Sequence, residues 1–239
     1  MNKLDILALA AHPDDVELCC SGTLIKHINN GYKAGIVDFT KGEMGTRGTP
    51  ELRLQEADNA GKIMGLSARE NLGFKDTYFT NDDDHKIKII EVIRKYQPEI
   101  LLINAPNDRH PDHGRAHLIS KEAAFLSGLQ KIETSIDGIP QKAWRPKTVY
   151  SYIQGWFISP DLVMDVSDVW EQKMESIFAY KSQFFDPNSS EPDTWLSSPK
   201  FMELIKGRAA ELGQAIGAQY GEGFITQRWI GTDNLLNLK

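Results

Sequence analysis

Residues 4–10 read LDILALA, apolar after Asp5 and without polar alternation. A strand wetted on one face alternates apolar and polar side chains, so an unbroken run belongs to a strand covered on both faces, as in a parallel sheet. The periodicity changes immediately afterwards. Val16, Cys20, Leu24 and Ile28 recur at helical spacing, and Asn29-Asn30-Gly31 supplies residues suited to a left-handed helix end.

The same alternation continues along the chain. AGIVDF at 34–39 and EILLIN at 99–104 read as buried strands, with a short strand at 69–73. Leu54, Ala57, Gly61 and Met64 mark a helix after Pro50, and Ile87, Ile90, Ile93 and Tyr96 mark another that Pro98 ends. Alternating strands and helices predict an α/β fold, a doubly wound, mostly parallel, Rossmann-like sheet with helices on both faces. The C-terminal third is less regular. It reads as strands near 147–152 and 162–166, a helix near 168–181, a Pro/Ser-rich loop at 186–199, a helix to about 219 and a last strand near 224–230. With 239 residues and no repeat or linker, residues 1–239 are expected to form one domain.

Composition narrows the partners. The chain is 41% apolar and 25% charged, and no apolar run approaches the roughly 20 residues of a membrane span. It opens on a strand pattern rather than on a secretory signal, which gives the expectation of a cytoplasmic protein. The formal charge of -6 argues against nucleic acid and favours a small-molecule partner. Cys19 and Cys20 are adjacent within a predicted helix and read as buried reduced thiols.

In a doubly wound sheet, ligands sit beyond the carboxyl ends of the strands. That rule selects residues 11–17, 40–50 and 105–113. The first segment holds His12, Asp14 and Asp15; the last, within NAPNDRHPDHGRAH at 104–117, holds His110, Asp112 and His113. Helix capping could account for Asp14 and Asp15 alone, and a polar loop for the histidines alone. Two such clusters at strand ends of one sheet point to a shared cation. His12, Asp15 and His113 form a set of two imidazoles and one carboxylate that leaves a coordination position for water, the pattern of catalytic zinc and also of Fe2+ sites.

AHPDDVE at 11–17 together with HPDH at 110–113 resembles the LmbE-like/PIG-L family of zinc-dependent de-N-acetylases. TKGEMGTRGTPELRLQEA at 40–57 and YGEGF at 220–224 are similar to its branch acting on N-acetylglucosaminyl-malate in bacillithiol biosynthesis. The resemblance implies one Zn2+ per chain on His12, Asp15 and His113, with Asp14 as general base. It also implies a protonated His110 at the oxyanion, which Asp112 would orient. Arg53 and Arg109 are the expected holders of the substrate's acidic end, because guanidinium forks grip carboxylates at two points. Arg53 could instead pair with Glu56 or Asp58, and Arg109 could be a solvated loop residue. Glu43 could touch sugar hydroxyls from the loop containing Gly42, Gly45 and Gly48, whose spacing is not that of a phosphate-binding loop. Arg47 is a weaker substrate contact, and His117 is either a residue behind the ligands or a core or surface histidine. Trp144, Trp156, Trp170 and Trp195 are expected mostly in the core, with one ring available to stack on a sugar. Homo-oligomers, including hexamers, are implied by the family. Other readings are a deacetylase of a chito-oligosaccharide or another thiol precursor, a metal-containing sugar-binding module, and a non-haem iron oxygenase.

Overall fold

The computed structural model describes residues 3–184 and 190–237. In chain order its elements are β1 (Ile6–Ala10), α1 (Asp15–Asn29), β2 (Ala34–Thr40), α2 (Pro50–Met64), β3 (Ala68–Phe74), α3 (Asp83–Tyr96), β4 (Ile100–Ile103), α4 (Pro111–Leu126), β5 (Ser135–Ile136), β6 (Ile139–Pro140), β7 (Thr148–Tyr152), β8 (Leu162–Asp165), α5 (Trp170–Phe178), α6 (Pro199–Ala215) and β9 (Gly221–Thr226). Seven of these strands, among the described residues, form one sheet in the order β3-β2-β1-β4-β7-β9-β8. The first five run parallel, while β9 lies antiparallel to both β7 and β8.

Every residue of β1 is buried, as its unbroken pattern requires. Leu7 and Leu9 point into a core with Ile89, Ile90 and Ile93 of α3 and Ile119 of α4. Ile6, Ala8 and Ala10 point the other way, toward Val16 and Leu24 of α1, Trp170 of α5 and Ala209 of α6. Truncating a fully buried leucine such as Leu9 to alanine should cost about 2–5 kcal/mol, because the cavity adds to the lost transfer energy. Helix ends follow local chemistry. Thr49 caps α2 through a hydrogen bond from the Leu52 amide, Pro50 and Pro111 occupy first-turn positions, and Gly65 closes α2 with a φ of 76°.

Three C-terminal boundaries differ from the sequence reading. The helix expected at 168–181 is a short 3-10 turn, Ser167–Val169, followed by α5, which ends at Phe178. Helix α6 stops at Ala215, ahead of Gly217 at a φ of 72°. The last strand starts at Gly221 rather than near 224, because its register pairs Gly221 with Asp165 and Thr226 with Tyr150. Residues 186–189 of the expected Pro/Ser-rich loop lie outside the described residues. No described helix is long and apolar enough to cross a membrane.

The chain leaves β1 for β2 on one side, and β4 flanks β1 on the other, so the winding direction reverses between β1 and β4. A crevice opens at the carboxyl ends of two such strands. The segment after β1 and the loop after β4 both empty into it.

Candidate metal centre and active site

The turn after β1 is built around an unusual backbone. Asp14 has a φ of 106° and a ψ of -24°, a left-handed conformation that a non-glycine residue adopts at a cost of about 1–3 kcal/mol. It stands at the N-cap of α1 yet makes no side-chain cap bond, so capping does not explain it. Its carboxylate instead accepts a hydrogen bond from the Arg53 guanidinium at 2.9 Å, and the same guanidinium donates to the Pro13 carbonyl. Burial pushes Asp14 up to about 7, with the Arg53 charge opposing that rise.

Asp15 faces the other way. Its Oδ2 accepts from the His12 amide and from Asn104 Nδ2, each at 3.0 Å, which fixes the carboxylate. Its Oδ1 lies 3.1 Å from His113 Nε2, and Oδ2 lies 3.8 Å from His12 Nδ1. One carboxylate thus bridges the two imidazoles. His113 Nδ1 is held by Asp108 from behind, which turns Nε2 into the site, and His12 Nε2 is backed by Asp76 at 3.2 Å and Asp112 at 3.3 Å. Burial alone would lower both imidazoles, but these acidic neighbours outweigh it. They hold His12 well above its ordinary value and raise His113 to about 9, while Asp15 stays well below the usual carboxylate range.

His110 caps α4, its Nδ1 accepting from the Asp112 amide at 3.3 Å. Its ring centroid is 4.7 Å from that of His12 and 5.1 Å from that of His113. Burial, then the charges on His12 and His113, lowers its pKa. The expected pairing of Asp112 with this ring does not form, because the Asp112 carboxylate is taken by His12, the Thr77 amide and Arg115. Two groups of potential ligand atoms among the described residues lie mutually within 4.8 Å: His12, His110 and His113, and His12, Asp76 and Asp112. Asp15 belongs to neither group but contacts His12 and His113 of the first.

The remaining expected residues divide. Arg53 is buried on Asp14, while Glu56 accepts from Ser182 and Asp58 pairs with Lys62, so neither alternative partner holds Arg53. Arg109 is exposed, its guanidinium 4.2 Å from the centre of the Trp195 ring. Glu43 braces its own loop by accepting from the Asp76 and Lys41 amides and does not line the pocket. Arg47 is buried against the Phe184 carbonyl. His117 contacts the Asn104 carbonyl and Ser151, so it stands behind the residue that fixes Asp15. Cys20 is in the core, and the half-buried Cys19 lines the pocket. Trp170 is buried, whereas Trp156 and Trp195 are exposed.

Asp76, Asp108 and Asn104 escaped the sequence reading. Asp108 and Asn104 lie inside the flagged 104–117 segment, and Asp76 follows β3 at the same carboxyl edge, so the strand-end rule extended to β3 would have found it. His12, Asp14, Asp15, His110 and His113, with Asp76 and Asp108, line a cavity of about 410 Å³ that the apolar face of α6 with Phe201, Leu204 and Ile205 also walls.

Residues 7–124 match the family model described as PIG-L, GlcNAc-PI de-N-acetylase. A diacetylchitobiose deacetylase of Thermococcus kodakarensis is 29% identical over 230 residues, spanning 91% of this chain and 81% of that protein. A probable N-acetyl-α-D-glucosaminyl L-malate deacetylase 2 of Bacillus subtilis is 27% identical, spanning 76% and 84%. The crystal structure of a conserved protein from Thermus thermophilus, TT1542, superposes with a TM-score of 0.86 at 31% identity, covering 97% of this chain and 98% of that one.

Proposed function

Because the chain belongs to the PIG-L family of de-N-acetylases, we propose that it is a zinc-dependent hydrolase releasing acetate from an N-acetylglucosamine conjugate. The observation that carries this reading is the Asp15 carboxylate shared between His12 and His113, with Asp14 turned aside at a pKa of about 7. The donors suit a zinc ion. In this arrangement the ring nitrogens of His12 and His113 converge on one carboxylate, each imidazole is backed by another acid, and a divalent cation can replace the shared protons. Zinc, when bound, supplies Lewis-acid polarisation of the acetyl carbonyl and lowers the pKa of water.

The residues then divide the work. Asp14 accepts a proton from the attacking water and returns it to the departing nitrogen, so that amide and water become amine and acetate. A base with a pKa near 7 suits both halves of that exchange. His110, with Nδ1 occupied as an acceptor, carries its proton on Nε2 when neutral and donates there to the oxygen that gains charge. The extra proton implied by the family resemblance is therefore not needed for that role.

The finer reading is N-acetylglucosaminyl-malate as substrate. The Bacillus subtilis relative supports it, as does Arg109, which presents an exposed guanidinium at the pocket while Arg53 is committed to Asp14. A chitobiose-like disaccharide is the second reading, favoured by the Thermococcus relative and by the exposed Trp195 ring. Free-amine release from the malate conjugate, diacetylchitobiose and N-acetylglucosamine, before and after chelation and zinc restoration, separates them. Zinc-restored release preferring the malate conjugate supports the first, preference for the disaccharide supports the second, and no release from any of the three with zinc bound refutes both.

A further inference from the structure

Helix α1 is broken at Cys20, whose φ of -148° and ψ of 16° are not helical. The first segment begins at Asp15, beside Asp14, and supplies Leu18 and Cys19 to the pocket; the second packs Leu24 and Ile25 into the core. A regular helix would join the Gly22 amide to the Leu18 carbonyl. Here each has a partner from elsewhere. Lys173 of α5 donates to the Leu18 carbonyl at 3.0 Å and the Glu17 carbonyl at 3.3 Å. Glu222 of β9 accepts from the Gly22 amide at 2.9 Å, and from the Thr23 amide and hydroxyl at 2.6 Å each. Lys173 and Glu222 pair with one another at 2.6 Å, with their side chains 2% and 3% exposed.

Glycine positions admit this wedge. A Cβ on Gly22 would lie 2.9 Å from Glu222 Oε1, and Cβ atoms on Gly221 and Gly223 would meet Val163 at 2.6 Å and Ile153 at 2.9 Å. The YGEGF segment is thus a carboxylate carried between two glycines into a third. Side chains that insert into a helical ladder are a recognised cause of sharp kinks. A buried ion pair seldom adds net stability over apolar packing, and the contacts of this one are spent on the break in α1.

We infer that Lys173 and Glu222 are positioning residues for the hydrolytic site, a buried ion pair spliced into α1 that sets the angle of the segment bearing Asp14 and Asp15. This inference rests on the zinc hydrolase reading. Misplacement by about 1 Å can cost about a hundredfold in rate, and loss of support behind metal ligands costs about tenfold to a hundredfold in affinity.

The test compares wild type with Glu222→Gln and with Thr23→Val, which deletes only the hydroxyl contact. Melting temperature, zinc affinity by chelator competition, and kcat and KM at saturating zinc are measured for each. The inference expects folded Glu222→Gln protein with zinc affinity at least about tenfold weaker, a fall in kcat and a KM within about twofold of wild type. Thr23→Val should show a smaller change in the same direction. If Glu222→Gln does not fold, Thr23→Val decides by the same measurements. A lowered melting temperature with wild-type zinc affinity and kcat overturns the inference. Failure of the parent reading looks different, since wild-type protein would then bind zinc without releasing amine, while chelator competition would still report on the splice.

Discussion

Replacing Arg53 with glutamine removes the cation that most strongly opposes the rise of the Asp14 pKa. The two side chains meet at 2.9 Å and are each 7% exposed, so water does little to screen them. At an effective dielectric of about 20, unit charges about 4 Å apart interact by about 4 kcal/mol. Opposite neighbours of this kind move a carboxylate by about 1 to 3 pKa units. The sign follows from the direction. Arg53 favours the ionised carboxylate, so its loss raises Asp14 further above 7 and leaves the base protonated over a wider range of pH. A base half ionised at pH 7 would lose about fivefold in its active form for a shift of one unit and about five-hundredfold for three. A zinc ion at the proposed site would draw Asp14 down in both proteins alike, so the quantity to compare is the displacement of the acid limb. The assay is kcat/KM for amine release from pH 5.5 to 10. The expected profile has its acid limb displaced to higher pH by about 1 to 3 units, with activity recovered under alkaline conditions. An unmoved limb with an equal loss at every pH would refute the reasoning, and a raised KM confined to acidic substrates would return Arg53 to the role of a substrate contact.

Asp14→Asn should bind zinc stoichiometrically and lose turnover by at least about a hundredfold, the lower range for general-base catalysis; a near wild-type rate would remove Asp14 from that role. His113→Ala should lose zinc, while His110→Ala should keep zinc and lose about a hundredfold or more in rate, as judged by metal analysis beside kinetics. Zinc affinity should weaken as pH falls. His12 and His113 are held above their ordinary values, so binding must expel protons, by about tenfold in affinity per pH unit for each one displaced below about 9. Calorimetry in buffers of different ionisation enthalpy counts those protons, and a count of zero would contradict the geometry. Asp108→Asn should weaken zinc by about tenfold to a hundredfold by releasing the His113 ring, which chelator competition would detect.

The parallel half of the sheet was legible because each element there declares itself locally. LDILALA is apolar throughout after its acid, and the stripes on α1 and α3 have helical spacing, so short-range pattern suffices. The strand-end rule then brought residues 11–17 and 105–113 together. Long-range pairing was not legible. FITQRWI reads as a strand on composition, but β9 ends at Thr226, where its pairing with β7 stops at Tyr150. Asp108 looks like any acid in a polar loop until the fold sets it behind His113. Arg53 had plausible partners on its own helix, and only the left-handed turn at Asp14 offers it a better one. Lys173 and Glu222 are 49 residues apart and bear no motif that announces the other.

The antiparallel strand β9 also imposes an order in time. Among the described residues, strand β8 pairs in the sheet only with β9, which the ribosome makes roughly 60 residues later, several seconds at 5–20 residues per second. Every imidazole and carboxylate proposed to hold zinc lies between His12 and His113, in the segments that follow β1 and β4, two strands that pair with one another and are made well before then. During synthesis the groups proposed to hold the cation are therefore made ahead of the wall that shapes the pocket, and Glu222, arriving last, closes the break in the first helix.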